Sequence, residues 1–293
     1  MDEQGQIWSA RARGKFRIDK TIRSSNPIAV GDIVTLLIED EDAGTAIITA
    51  IDVRNNYMVR VSPQNRHLKH IVASNLDQAL VVATMHNPRT SNGFIDRFLI
   101  TAEAYHISAT IVINKADLLT EEYQEAWQER KELYEGIGYK VLTVQATDAA
   151  TMLPLREHLA GKTTLLSGHS GVGKSTLINA LIPDLDIRVQ EVSDWSGKGQ
   201  HTTTFAEMFD LDKDTQIIDT PGVKEFGLVA FDQYDLAQYF PEMRALMSGC
   251  KFNNCLHINE PQCAVKAELD KAVSLERYES YLTILESLPK PTY

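Results

Sequence analysis

The sequence predicts a multidomain protein in three parts: an N-terminal β-barrel, a central α/β domain on a parallel sheet, and a C-terminal, mostly α-helical domain. Three patterns carry that prediction. Residues 6–61 alternate short β-rich runs with turn signals. From residue 79, apolar strands alternate with helical stretches, the pattern of a parallel sheet covered on both faces. After Gly227 helical periodicity takes over, interrupted at 250–263 by a segment rich in Cys and His. The expected boundaries are 1–66, 67–230 and 231–293.

In the first part, QIWSARA, KFRIDK, DIVTLLI, TAIITAI and YMVRVS are separated by Asn-Pro, Glu-Asp-Glu-Asp and Asn-Asn stretches. About five strands in about 60 residues suit a small barrel, of which the oligonucleotide-binding (OB-fold) type is common. SPQNRHLKH (62–70) reads as a polar linker. The formal net charge of −11 argues against a protein that coats nucleic acid by bulk charge. The charge is unevenly spread, however. Residues 1–70 carry ten Lys/Arg against nine Asp/Glu, whereas residues 71–232 carry 13 against 23. Within the barrel, Arg11, Arg13, Lys15, Arg17, Lys20 and Arg23 are opposed only by Asp19. That run is either a solvated strand face or a contact for a phosphate backbone.

At 293 residues the chain has room for two or three domains with cores of their own. It contains no run of about 18 apolar residues, and MDEQGQIWSARAR lacks the apolar centre of a signal peptide. A cytoplasmic protein with no membrane partner is expected. No heptad or long exposed apolar stripe demands a dimer, so a monomer is expected too.

The central part holds the chemistry. TTLLSGHSGVGKSTLINAL reads as strand, Gly-rich loop and helix, and Gly168, Gly173, Lys174 and Ser175 match GxxxxGK[ST]. Such a loop, here running through Ser170, Gly171 and Val172 to Thr176, curls its backbone N–H groups around phosphate oxygens. Lys174 is expected to reach the terminal phosphates, and Ser175 to give a hydroxyl to Mg²⁺. IIDTPG ends a strand in a carboxylate, so Asp219 is expected to hold Mg²⁺, and the Gly222 N–H to sense the terminal phosphate.

NKAD (114–117) caps a different buried strand, ATIVIN. Asp117 can accept from both the N1–H and the exocyclic amine of guanine, a pair of donors that adenine lacks. Lys115 would lie along the base, and Asn114 would tie the loop together. The nucleotide is therefore expected to be GTP, with GDP as product. VQATD (144–148) lies after the next strand, where the backbone of Ala146 is expected to meet the guanine oxygen; Gln145 stands where a serine is usual. HTTT (201–204) lies between the phosphate-loop helix and DTPG, the place of a first switch segment. Thr202 or Thr203 would complete the Mg²⁺ shell, or these threonines simply begin a strand.

The motif order is base reader, phosphate loop, first switch, DTPG. Circular permutation accounts for it, because the termini of a domain often lie close enough to be joined and the chain cut elsewhere. The central part is thus predicted to be a circularly permuted P-loop GTPase, whose DTPG segment runs directly into the C-terminal part. Val223 occupies the place of the glutamine that orients water in signalling GTPases, so slow intrinsic hydrolysis is expected. His201 either orients that water or is a loop histidine without a catalytic task. Gly171 replaces the asparagine of potassium-activated GTPases, so potassium is not invoked.

CKFNNCLHINEPQC contains all three cysteines of the chain. Cys250, Cys255, His257 and Cys263 suit one tetrahedral structural Zn²⁺, although the spacing is not that of a common zinc finger and also allows ordinary cysteines. His67, His70, His86, His106, His158 and His169 lack such spacing and read as structural or surface residues.

Taken together, the strand-rich start, NKAD before GHSGVGKST, HTTT, DTPG and the Cys-Cys-His-Cys set resemble the circularly permuted, ribosome-dependent GTPases that assist late maturation of the small (30S) ribosomal subunit in bacteria, the RsgA/YjeQ family. The resemblance spans essentially the whole chain. It implies an OB barrel that contacts ribosomal RNA, a GTPase core stimulated by the small subunit, and a zinc domain that also meets the subunit. It implies His201 as the water-orienting residue and Thr202 and Thr203 as switch threonines. Family members begin with a further strand pair before a KGKFR-like segment, here RGKFRI (13–18), so this barrel is expected to be incomplete or differently closed. A binding-class alternative is a GTP-gated RNA chaperone or translation regulator. A P-loop kinase is disfavoured, because NKAD reads a base and no acceptor-binding segment is evident.

Overall fold

The computed structural model describes residues 1–13, 26–61, 69–183, 185, 206–220 and 231–288. In the N-terminal part, β1 (Ser9–Ala12), β2 (Val34–Asp40) and β3 (Thr45–Ile51) form a sheet of order β1-β3-β2. Strand β1 runs parallel to β3, and β2 runs antiparallel to it. Strands β4 (Tyr57–Val61) and β5 (Lys69–Ser74) form an antiparallel pair, bridged to the preceding segment between Val30 and Ala73. Lys69 and His70, read from their polarity as the end of a linker, instead open β5. The strand's anchor is downstream, where Ile71, Val72 and Ala73 are buried, and pairing with β4 extends the ladder back to Lys69. Asp32 ties the two sheets: it accepts from Arg54 Nε (2.6 Å) and Nη2 (2.7 Å) and from Ser74 Oγ (2.6 Å). The expected strand KFRIDK lies outside the described residues.

The central part follows as β6 (Gln78–Ala83), α1 (Asn92–Ala104), β7 (Ser108–Ile113), α2 (Glu121–Ile137), β8 (Lys140–Thr143), α3 (Ala149–Leu159), β9 (Thr163–Gly168), α4 (Lys174–Leu181), β10 (Glu207–Asp212) and β11 (Thr215–Asp219). Every residue of β6 is buried, as a near-continuous apolar run requires when both sheet faces are covered. The sheet order is β10-β11-β9-β6-β7-β8, all parallel except β10, which folds back on β11. One core lies under α1 and α2 (Ile95, Phe98, Leu99, Trp127 and Tyr134 against Val81 and Ile111). The other lies under α3 and α4 (Met152, Leu155, Leu177 and Ile178 against Leu80, Val112 and Leu166). From the adjacent strands β9 and β6 the chain winds outward in opposite directions. That topological switch point is where open α/β sheets leave a crevice for ligands.

The C-terminal part contains α5 (Pro241–Arg244), α6 (Ala264–Ala267) and α7 (Leu275–Ser287). Ser274 starts α7 by accepting from the Arg277 N–H (3.2 Å). The core of this part comprises Leu236, Phe240, Met243, Val265, Val273, Tyr281 and Ile284, and it includes Ile100 of α1. Among the described residues no helix is long and apolar enough to cross a membrane.

Candidate nucleotide site and cysteine cluster

The phosphate loop leaves β9 at Gly168 and enters α4 at Lys174. Two glycines are required by what surrounds them. At Gly168 (φ +155) a Cβ would lie 2.5 Å from the Val82 carbonyl oxygen, and at Gly173 (φ +92) it would lie 2.4 Å from Asn114 Nδ2. Asn114, at the end of β7, donates from that same Nδ2 to the Val172 carbonyl (2.9 Å). The first residue of NKAD therefore straps the phosphate loop, 58 positions away in the chain.

Lys174 is buried, and its ammonium donates back to the carbonyls of Gly168 (2.8 Å) and His169 (3.4 Å). Burial lowers its pKa, and Asp219 opposes that shift. Asp219 closes β11, beside β9, and its buried Oδ1 has no hydrogen-bond partner. A buried carboxylate oxygen without a partner, in the field of Lys174, fits a cation ligand. Val172 is buried; Gly171, Ser175 and Thr176 are half-buried, and Ser170 faces solvent.

Lys115 has left-handed backbone geometry (φ +61) and donates from Nζ to the Asn87 carbonyl (2.5 Å). Asp117 is exposed in the short 3₁₀ turn that follows. The Ala116 N–H donates to the Val144 carbonyl (3.2 Å), joining NKAD to the loop that carries half-buried Ala146. The structure thus brings NKAD, VQATD, the phosphate loop and Asp219 to one edge of the sheet. His201, Thr202, Thr203 and Gly222 lie outside the described residues. So do Lys15, Arg17, Lys20 and Arg23 of the basic run; Arg11 and Arg13 are exposed, and Arg11 pairs with Glu39 (2.7 Å).

Burial holds the Asp219 carboxyl up at about 6, against the pull of Lys174. The native state therefore keeps a proton that the unfolded chain releases near pH 4, so the contribution of Asp219 to nucleotide-free stability should fall as pH rises from 4 to 6 and level off above, against the opposite slope of His158, whose imidazole burial lowers to about 4. The fall amounts to up to about 3 kcal/mol over those two pH units. Urea titrations isolate it as the difference in unfolding free energy between wild type and Asp219→Asn, which should fall by that amount from pH 4 to pH 6.

The cysteine cluster forms a second site. The ligand atoms of Cys250, Cys255, His257 and Cys263 all lie within 4.8 Å of one another. His257 Nδ1 is 3.7 Å from Cys250 Sγ and 3.3 Å from Cys263 Sγ. Tetrahedral zinc with ordinary Zn–S and Zn–N bonds separates nitrogen and sulfur by roughly 3.6 Å, so the donor set fits. Burial, with Cys263 adding, pushes the Cys255 thiol up to about 12, a state that a bound divalent cation reverses. Glu260 holds the loop by accepting from the N–H groups of Leu256, Ile258 and Asn259 (2.8, 2.9 and 3.1 Å). Tyr278 and Tyr281 of α7 donate to the carbonyls of His257 (2.5 Å) and Leu256 (2.8 Å).

Sequence reading missed two features of this region. His169, already placed in the phosphate loop by the sequence and read as structural or surface, packs against Phe94 of α1, 75 positions earlier. Asp96, Glu242 and Arg277 form a buried ion cluster. Their wide separation in the chain left no local signal for either.

Comparison with known proteins agrees with this geometry. The RsgA GTPase model matches residues 51–229, and the RsgA N-terminal domain model matches residues 1–47. A protein of Flavobacterium johnsoniae named small ribosomal subunit biogenesis GTPase RsgA is 50% identical over 286 residues, covering 97% of this chain and 88% of its own. One of the same name from Bacteroides fragilis is 44% identical over 292 residues, covering 99% and 93%. The crystal structure of YloQ, a circularly permuted GTPase, superposes with a TM-score of 0.70 at 30% identity, covering 97% and 88%. YjeQ from Thermotoga maritima gives 0.71 at 31%, covering 94% and 88%. With its permuted motifs gathered at one sheet edge and a Cys₃His cluster following them in sequence, this chain belongs to the RsgA GTPase family.

Proposed function

We propose that this chain hydrolyses GTP as a late assembly and maturation factor of the small (30S) ribosomal subunit, with turnover stimulated by that subunit. The observation that carries this reading is the permuted motif order, which sends the DTPG segment straight into the Cys/His part of the chain. The relatives named as small-subunit biogenesis GTPases support the same partner.

In this reading Asp117 accepts from guanine, Lys115 lies along the base, Asn114 braces the loop, and the Ala146 N–H meets the guanine oxygen. The loop from Gly168 through Ser170, Gly171, Val172 and Gly173 to Thr176 cradles the phosphates, with Lys174 on the terminal ones. Ser175, Asp219 and Thr203 would hold Mg²⁺, which when bound neutralises charge between the β- and γ-phosphates. The Gly222 N–H senses the terminal phosphate, Thr202 serves with Thr203 as a switch threonine, and His201 orients the attacking water. Cys250, Cys255, His257 and Cys263 would hold one structural Zn²⁺ with no open coordination position. The flanking parts supply rRNA contacts, Arg11 and Arg13 among them, since the acidic core repels phosphate. The protein works as a cytoplasmic monomer without a membrane partner.

GTP turnover of the purified protein with and without small ribosomal subunits tests the reading, alongside Asp117→Asn assayed with XTP. Strong stimulation by small subunits alone, with base preference moving to XTP, is expected. Equal turnover in both conditions would leave the GTPase and remove the assembly role.

A further inference from the structure

All three parts of the chain meet on helix α1. In its first turn Phe94 is buried, and its ring lies against that of His169 in the phosphate loop, centroids 3.7 Å apart and planes inclined by 31°. His169 in turn gives a carbonyl to the Lys174 ammonium (3.4 Å), so the placement of His169 bears on Lys174 as well. Burial and the neighbouring Lys174 hold the imidazole below its ordinary pKa.

Two residues beyond Phe94, Asp96 is fully buried and accepts from Arg277 Nη1 of α7 (2.5 Å) and from the Tyr134 hydroxyl of α2 (2.8 Å). Arg277, only 1% exposed, also donates from Nε to Glu242 (2.8 Å) and lies 4.7 Å over the Phe240 ring. Further along α1, Ile100 enters the C-terminal core and Glu103 pairs with Arg244 (3.0 Å). At its end, Tyr105 packs against Tyr57 of β4 (5.4 Å).

A buried ion pair tolerates little displacement, because separating the partners strands a charge in the interior. A helix moves as one body, so the clamp at Asp96 also fixes where Phe94 stands. We propose that Phe94 is a positioning residue for nucleotide binding that acts through His169, and that the Asp96–Arg277 clamp makes nucleotide affinity depend on how the C-terminal domain docks on α1. The inference rests on reading residues 168–176 as the phosphate loop. Its physical warrant is contact at both ends of one rigid element, and energetic coupling is what must be measured.

The test is affinity of the full chain for a fluorescent GDP analogue, with melting temperature recorded in parallel. Phe94→Ala is expected to weaken binding about fivefold, the worth of an aromatic pair, and Phe94→Tyr to restore it. Asp96→Asn is expected to weaken binding in the wild-type background and to add nothing to Phe94→Ala, since both act through the same ring. Wild-type affinity in Phe94→Ala overturns the proposal. So does a full Asp96→Asn effect in the Phe94→Ala background, or a lowered melting temperature in Asp96→Asn with unchanged affinity. Should Asp96→Asn fail to fold, Arg277→Lys in both backgrounds replaces it. Lys174→Ala separates this inference from its premise. Unchanged affinity in Lys174→Ala sinks the phosphate-loop reading, whereas affinity lost there and kept in Phe94→Ala sinks only the role of α1.

Discussion

Lys174→Ala is expected to lower affinity for GTP and GDP by about two to four orders of magnitude while leaving the fold intact. The ammonium stands buried at the start of α4, hydrogen-bonded to the Gly168 and His169 carbonyls of the glycine-rich loop. Charge-assisted hydrogen bonds to a phosphate contribute about 1.5–3 kcal/mol each, and two of them would be lost together. The fold should not suffer in proportion. The depressed Lys174 pKa shows that burial penalises this cation, and Asp219 offsets only part of the penalty. Removing it should leave the melting temperature of the nucleotide-free protein within a few degrees of wild type. Affinity within threefold of wild type would place the phosphates elsewhere.

Stripping the metal is expected to unfold the C-terminal part, residues 231–288, and to lower the main melting transition by about 10 °C or more. Structural zinc contributes about 10–16 kcal/mol of apparent binding free energy in small zinc modules. Here the donors belong to the core itself: Cys255 and Cys263 pack with Leu236, Phe240, Val265 and Tyr281. The helices of this part are short, four residues each in α5 and α6, too short to persist without tertiary support. A strong chelator, or Cys255→Ser, should therefore release one equivalent of zinc and abolish the near-UV signal of Tyr278 and Tyr281. Nucleotide binding should persist, because the central sheet has two cores of its own, and should weaken only by what the Arg277 clamp contributes. A chelated protein that melts as before, or a purified protein with no stoichiometric zinc, would refute the structural-metal reading.

The alternating strands and helices of the central part, the pairing of β10 with β11 across their turn, and the chemistry of the motifs were all legible in the order of residues. These are local properties: periodicity, turn residues and fixed spacing are set by a backbone's immediate neighbours. The order of NKAD and GHSGVGKST was likewise enough to read a permuted sheet. Which distant residues meet depends instead on the folded chain. Asn114 reaches Val172, and the glycine at 173 is needed because Asn114 stands against it. Strand β5 extends back into a polar run because β4 offers it a partner. Asp96 finds Arg277 across 181 positions, and Phe94 finds His169. Each such contact depends on which face of a helix is turned to which neighbour once the sheet has closed. That is settled by packing of the whole chain, to which no short stretch of sequence has access.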